Sequence, residues 1–422
     1  MATTAKPWDN GALQASENGR FIQHSNGEAF HWQADTCWEL FHRLTREEIT
    51  LLIETRVRQG FNVLQVVALA ELEGIRVPNR YGAFPLKDEN PETPDLDGGY
   101  WDVVDFAFDL AAEHGIYLAL LPTWGDKLTR AWGAGPVIFN ETNIEAYGRW
   151  IASRYGHREN LIWVNGGDRD PARYEDAWRG LANGVRAAEA GKHLMTFHPM
   201  GDMSSGESFH SEEWLDLNML QTGHGHPELE RIRKMITANW QRTPAKPVLD
   251  GEPRYENHPI QFDARRGYFQ AGDVRQAIYA GLLSGGCGFT YGCHAVWQFA
   301  QDAYAPINNP ISHWSYSLEL PGANQVQFAT KLMRDESVLE LVPDLSILED
   351  RSALFARASE DRTRAVVYFP ESHRVRLNAK FSTVRWFDPR TGETHESQPV
   401  DTHLEPPKSD AQTRDWVAIL SA

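Results

Sequence analysis

Hydrophobic positions in this chain fall into short, nearly continuous apolar runs separated by amphipathic stretches. His31–Thr36, Phe61–Leu69, Ile116–Pro122 and Leu161–Val164 are such runs, as are Leu194–His198, Leu217–Thr222, Pro247–Gly251 and Gly288–Trp297. Runs of this length without alternation suit strands buried on both faces, as in a parallel sheet. Between them, Ile49, Leu52, Ile53 and Val57 recur at helical spacing behind a capping box, Thr45 to Glu48. Helices are likewise predicted over 101–114, 142–155, 171–191, 227–240, 273–284 and 325–334. The alternation of strand and helix from His31 to Arg334 predicts a (β/α)8 TIM barrel. A doubly wound open sheet is the rival, and it lacks the glycine-rich phosphate loop of either common type.

After about Asp344 the pattern changes to short strand-like segments, 353–358, 363–370, 383–387 and 415–420. The expected organisation is a catalytic barrel over residues 1–343 and a small C-terminal all-β sandwich over 344–422, packed on the barrel. An Asn26-Gly27 pair between apolar residues predicts an N-terminal hairpin.

Composition narrows the function. A formal charge of −17 argues against a nucleic-acid partner, because phosphate binding needs a positive footprint. No apolar run has transmembrane length, and the N-terminus lacks the apolar core of a secretion signal, so a cytoplasmic location is expected. Cys37, Cys287 and Cys293 form neither a disulfide framework nor a CxxC pair.

Chemistry gathers at predicted strand ends, where α/β folds carry their sites. The fourth strand runs into Asn165-Gly166-Gly167-Asp168, and the seventh into Asp250-Gly251-Glu252. Two carboxyls facing each other across a barrel mouth are what glycosidic cleavage requires: one protonated to release the leaving oxygen, one ionised. Asp168 and Glu252 are that pair. As a turn residue, Asp168 also suits a helix N-cap; Asp250, nearer the strand body, suits a structural role. Aromatic and hydrogen-bonding residues at the other strand ends form the expected carbohydrate-binding set: Trp32, Asp35, Trp38, Trp124, Asn165, His198, His224, His226, Tyr255, His294 and Trp297. The fifteen tryptophans also serve as core. The histidines match no zinc signature, so neither metal nor other cofactor is expected. Two other readings stand beside the glycosidase: a non-catalytic carbohydrate-binding barrel, and a metal-dependent hydrolase or isomerase using the histidines. The long 70–99 loop, through Tyr81–Pro85, and the 254–269 loop are expected to wall a closed pocket for one terminal sugar.

Phe30–Trp38, Phe61–Val67, Trp163–Asp168, Gly251–Tyr255 and Ala280–Tyr291 together resemble the apiosidase-like glycoside hydrolases, a barrel followed by a small domain nominally called collagen-binding. The resemblance covers about 20–420. It implies a retaining, exo-acting hydrolase with Asp168 as acid/base and Glu252 as nucleophile. The sugar it implies is a furanose, such as apiose or arabinofuranose.

Overall fold

The computed structural model describes residues 5–189, 193–352, 354–408 and 415–422. Eight parallel strands stand in chain order: β1 Trp32–Thr36, β2 Val63–Val67, β3 Tyr117–Leu121, β4 Leu161–Gly166, β5 Met195–His198, β6 Asn218–Leu220, β7 Val248–Asp250 and β8 Gly288–Tyr291. The sheet order is β8-β1-β2-β3-β4-β5, with β6-β7 as a separate pair. Single backbone bonds close the ring: Asp216 N–H donates to Met195 O (2.9 Å) and Cys287 N–H to Val248 O (2.8 Å). Around the ring lie α1 Arg46–Arg58, α2 Tyr100–Glu113, α3 Ile144–Tyr155, α4 Glu175–Glu189, α5 Ser205–Phe209, α6 Leu229–Trp240, α7 Ala271–Leu283 and α8 Pro321–Asp335. The expected barrel and the capped α1 are therefore present, Thr45 accepting from Glu48 N–H and Glu48 from Thr45 N–H.

Strand parity divides the core in two. Trp32, Ala34, Val63, Val67, Tyr117, Ala119, Ile162, Val164, Met219 and Leu249 fill the barrel interior. Their strand neighbours Leu64, Val66, Leu118, Leu120, Leu161, Trp163, Met195 and Phe197 pack under the helices. Alternate residues point to opposite faces of a strand, so one sequence run serves both layers. Leu13–Ala15 pairs antiparallel with Ile22–His24, and Leu13, Ile22 and Phe30 pack with the interior cluster beside Trp32, at the end where β1 begins. The Asn26-Gly27 turn forms as expected: Gly27 N–H donates to His24 O and His24 N–H to Glu28 O.

Several boundaries differ from the sequence reading. The eighth strand stops at Tyr291, and His294–Trp297 is a single helical turn beyond it. The reason is local competition: Glu256 N–H donates to Gly292 O and His294 N–H to Glu256 O, so the 254–256 segment takes the hydrogen bonds that would extend β8. The helix read from Pro171 starts at Glu175, and its supposed stop, Gly191, lies outside the described residues. So does Ala353, the first residue of the first predicted C-terminal strand.

The C-terminal part is an antiparallel sheet built on Phe355–Ala358, Arg364–Phe369, Trp416–Ser421 and Thr383–Phe387, with a ribbon of Val375–Arg376 and His403–Leu404. Its strands alternate as the barrel's do. Phe355, Val366, Tyr368, Val417 and Ile419 join the barrel's outer core, while Ala356, Val367, Phe369, Trp386 and Leu420 close a separate core against Leu348, Val375 and Leu404. At the seam, Arg275 of α7 grips the fully buried Asp415 with two bonds of 2.8 Å, and Tyr368 Oη–H donates to Asp415 Oδ2 (3.0 Å). Asp415→Ala removes two charge-assisted bonds from the buried guanidinium. It is expected to destabilise the protein by about 3–5 kcal/mol, read by denaturant unfolding; a loss under about 1 kcal/mol counts against a structural role for the pair.

Candidate active site

Asp168 owes its position to the two residues before it. Gly166 (φ +90°), Gly167 (φ +120°) and Asp168 (φ +49°) all have positive φ. The chain turns back on itself at the end of β4 in a space with no room for side chains. A Cβ on Gly166 would meet His198 O at 2.3 Å, and one on Gly167 would meet Gly125 N at 2.8 Å and the Trp124 ring at 2.9 Å. Only glycine accepts such φ and such contacts together. Aspartate is among the few other residues that tolerate the left-handed region.

Glu252 follows β7 after Gly251, whose own Cβ would strike Met219 Sδ at 2.5 Å. Two imidazoles face its carboxylate. His224 Nε2 lies 3.2 Å from Oε1 and His198 Nε2 3.2 Å from Oε2. The His224 contact is a hydrogen bond; the His198 N–H lies off the line to Oε2. The other nitrogen of each ring faces a backbone N–H: Tyr255 N–H for His224 Nδ1 and Asp168 N–H for His198 Nδ1, both at 3.4 Å. With Nδ1 accepting, the ring N–H sits on Nε2, the nitrogen beside Glu252. Burial by itself would raise the Glu252 pKa, but the two histidines outweigh it and hold the carboxyl well below the usual range. Asp168 moves the other way, to about 6, because it is buried and faces the Glu252 charge, with Arg169 and His198 only partly offsetting this. His198 thus spans the pair, touching Glu252 with one nitrogen and the Asp168 backbone with the other.

Both carboxyls line one cavity of about 450 Å³ at the carboxyl ends of the strands. Trp38, Trp124, His224, Tyr255 and Trp297, all expected from sequence, line it as well. His198 and His294 stand behind the wall, fully buried. His294 Nε2–H points at Ile307 O (3.1 Å) and Asn308 O (3.0 Å), and its Nδ1 accepts from Trp297 Nε1–H (3.2 Å). It orients a wall residue. His226 is half-exposed outside the wall, paired with Asp202 at 3.2 Å.

Three expected residues are in the wrong place, each for reasons of parity or height. Trp32 points into the barrel, but at the start of β1, sealed beneath Phe30. Asp35 shares the outward face of β1 with Gln33 and is held by Arg56 of α1 at 2.7 Å. Asn165 points outward with Trp163, against Met195 Sδ (3.4 Å). The 70–99 loop is corrected too. Its Tyr81–Pro85 run packs on the barrel's side, Tyr81 Oη accepting Arg46 N–H at the start of α1 and Pro85 O accepting Trp101 Nε1–H. Of this loop only Glu71, just past β2, lines the cavity. The 254–269 loop does wall the pocket, with Tyr255, His258 and Phe262.

Sequence reading missed Glu71, Trp132, Gln221, His258 and Phe262. Glu71, at a strand end, carried the same positional signal as the chosen residues. Burial, with the Asp168 charge next, raises its pKa to about 8; Arg169 opposes this from 3.3 Å. His258 stacks on His224 at 4.0 Å and is kept neutral by burial. Asp250 does not line the cavity: Thr222 donates to it through Oγ1–H (2.6 Å) and N–H (3.3 Å), which ties β6 to β7. Among the described residues, no group of three or more His, Cys, Asp or Glu is arranged to hold a metal ion, and no helix is long and apolar enough to cross a membrane.

A family model described as "Apiosidase-like, catalytic domain" matches residues 16–340, and one described as "Putative collagen-binding domain of a collagenase" matches 342–421. Among solved structures, a glycoside hydrolase superposes with a TM-score of 0.89 at 28% identity, covering 99% of this chain and 98% of the other. A glycoside hydrolase family 5 protein from Bacteroides vulgatus gives 0.87 at 29% identity, covering 100% and 95%. An endo-β-1,4-mannanase from Thermotoga petrophila shares the fold alone, with a TM-score of 0.52 at 12% identity over 94% and 92% of the chains. No curated protein matches.

Gly167→Ala tests the turn that presents Asp168. The added methyl meets the Gly125 backbone and the Trp124 ring, so the turn has to open. The expected result is a stability loss of about 1–3 kcal/mol together with loss of activity, whereas Gly27→Ala, at a positive φ but with open space around it, leaves activity unchanged. Equal activity in both variants would show that the turn has no special role.

Proposed function

The chain belongs to the apiosidase-like glycoside hydrolases, and on that premise we propose that it removes one terminal sugar by double displacement, with Glu252 as nucleophile and Asp168 as general acid and then base. The arrangement that carries this reading is two carboxyls lining one cavity, Glu252 clasped by two histidines that hold its pKa low and Asp168 raised to about 6 by burial and the Glu252 charge. A pair held in opposite states supplies both halves of glycosidic cleavage. In the first step Glu252 attacks the anomeric carbon while Asp168 protonates the departing oxygen. In the second, Asp168 takes a proton from water, which displaces Glu252. The histidines serve the first step by keeping Glu252 charged. As its charge passes into the covalent bond, the two rings remain beside ester oxygens that are weaker acceptors than a carboxylate, so the clasp helps Glu252 leave again.

Exo action is supported by the shape of the site. A cavity of about 450 Å³ is at the small end of ligand pockets, roughly 300–1,000 Å³, and the 254–269 loop stands across one side of it. Family membership makes a furanose such as apiose or arabinofuranose the first candidate. A panel of aryl pyranosides, aryl furanosides and plant or bacterial oligosaccharides, with products identified by mass, decides between one released sugar and mixed long fragments; the latter would overturn the exo reading. Proton NMR of the first product gives the anomer, and an inverted one would overturn double displacement.

Glu252→Gln is expected to lower kcat by on the order of 10⁴-fold with the fold intact; retained turnover sinks the nucleophile assignment. Activity is also expected to fall as pH rises through about 6, where Asp168 loses its proton. Glu252, Arg169, His198 and Glu71 are the charged or titratable groups that surround Asp168. Glu252 stays ionised well into acid, so the acid limb lies far below the alkaline one. A pH profile of kcat/KM still rising above neutrality contradicts these roles.

A further inference from the structure

Trp132 stands apart from the other aromatic residues of the pocket. It lines the cavity yet is 60% exposed, the most exposed tryptophan described. Its Nε1–H points at Asp168 Oδ2 (3.3 Å). The Arg169 guanidinium covers one face of the indole, 4.2 Å from the ring centre. The exposure therefore belongs to the opposite face and the outer edge.

The loop that carries it is anchored. Gly135 N–H donates to the buried Asp126 Oδ2 (2.7 Å), whose Oδ1 holds Lys127 Nζ (2.8 Å). Next to the tryptophan, a Cβ on Gly133 would meet Arg169 Nη2 at 2.4 Å and Asp126 Cβ at 2.5 Å, so the loop is pressed against its support. An indole fixed at both its edge and one face, with the other face open over the cavity, is a preorganised platform.

We propose that the open face of Trp132 is the leaving-group subsite, built to stack a neutral sugar ring, and that its indole N–H positions the Asp168 carboxyl. The proposal rests on the glycosidase reading for what occupies the site. The platform hangs on the residue assigned as acid/base, and the acid/base must touch the leaving oxygen, so the ring on this side is the departing one. Oδ2 already accepts from Trp132 and is 3.4 Å from Arg169 Nη1, which leaves Oδ1 as the oxygen that carries and delivers the proton. Sugar rings present C–H faces that pack on indole, and the indole N–H stays free for a polar partner.

Charge selects the class of ring. Glu71, Asp168, Asp202 and Glu252 line the cavity, and among the described residues no lysine or arginine does. Arg169, next to it, is engaged by Glu71, Asp168 and the indole face. A uronate finds no free cation among these residues and two or more carboxylates instead, so a neutral ring is the one accepted.

The direct test uses the full chain labelled with 5-fluorotryptophan, the Trp132 resonance being the one lost in Trp132→Phe. Titration with glucose, galactose, xylose, arabinose and rhamnose is expected to move that resonance, and glucuronate and galacturonate to move it less. Silence to every sugar, or a stronger response to the uronates, overturns the proposal. Kinetics give the second arm. On glycosides with a sugar leaving group, Trp132→Ala is expected to raise KM about tenfold, the value of a lost aromatic stack. On methyl glycosides of the same sugar KM stays unchanged. Trp132→Phe keeps most of the KM but moves the alkaline limb of the pH profile upward, since the carboxylate has lost a donor. Equal losses on both leaving groups would show a structural role only. The two readings fail separately: turnover surviving Glu252→Gln sinks the glycosidase mechanism while a responding Trp132 stands, and an unresponsive Trp132 beside a dead Glu252→Gln sinks only the subsite.

Discussion

The site depends on one carboxylate held between two imidazoles. His198 comes from the end of β5, His224 from the loop after β6 and Glu252 from the loop after β7, so the clasp joins three consecutive strand ends. Each ring faces a backbone N–H with its second nitrogen, which sets the tautomer without a further ionisable group. The Nε2 proton of His224 bonds Glu252 and His198 Nε2 lies beside it, so the charge is stabilised in a place where burial alone would raise the carboxyl's pKa. Burial raises the Asp168 pKa, and that retained charge raises it further. The difference between the two carboxyls is thus a single electrostatic arrangement, read from both ends.

Around this arrangement the fold places tight turns where chemistry needs reach. Gly166 and Gly167 bring the chain so close to His198 O and Gly125 N that Asp168 is thrown over the cavity. Gly251 does the same for Glu252 against Met219. The strand ends and the first residues beyond them supply the carboxylates and histidines; the loops after β3 and β7 supply the aromatic surfaces Trp132 and Phe262. Among the described residues, none of the C-terminal sheet lines the cavity. The sheet buries one face on the barrel's helices and is locked there by Arg275 and Asp415.

Much of this was legible in the chain. Apolar runs alternating with amphipathic stretches specify a two-layered parallel barrel, because a strand buried on both faces has no polar side to show. The residues directly after β4 and β7 are adjacent in sequence to a strand end, so Asp168 and Glu252 could be placed without knowing the fold's details. The same logic reached Trp38, Trp124, His224, Tyr255 and Trp297.

What composition and spacing left open is what depends on orientation. A one-residue step along a strand exchanges the barrel interior for the helix layer, and a run apolar on both faces does not reveal which residue takes which side; Asp35 and Asn165 fell on the outer one. Height along the barrel is equally hidden, so Trp32 at the base looked like Trp38 at the mouth. Loop residues are placed by contacts distant in sequence: Trp132 by Arg169 and Asp168, Tyr81 by the start of α1. The sequence alone determined the barrel, the accessory sheet and the two carboxylates. Only the tertiary structure decided which groups surround each carboxyl and which aromatic faces stay open over the cavity, because both follow from residues brought together across the barrel mouth.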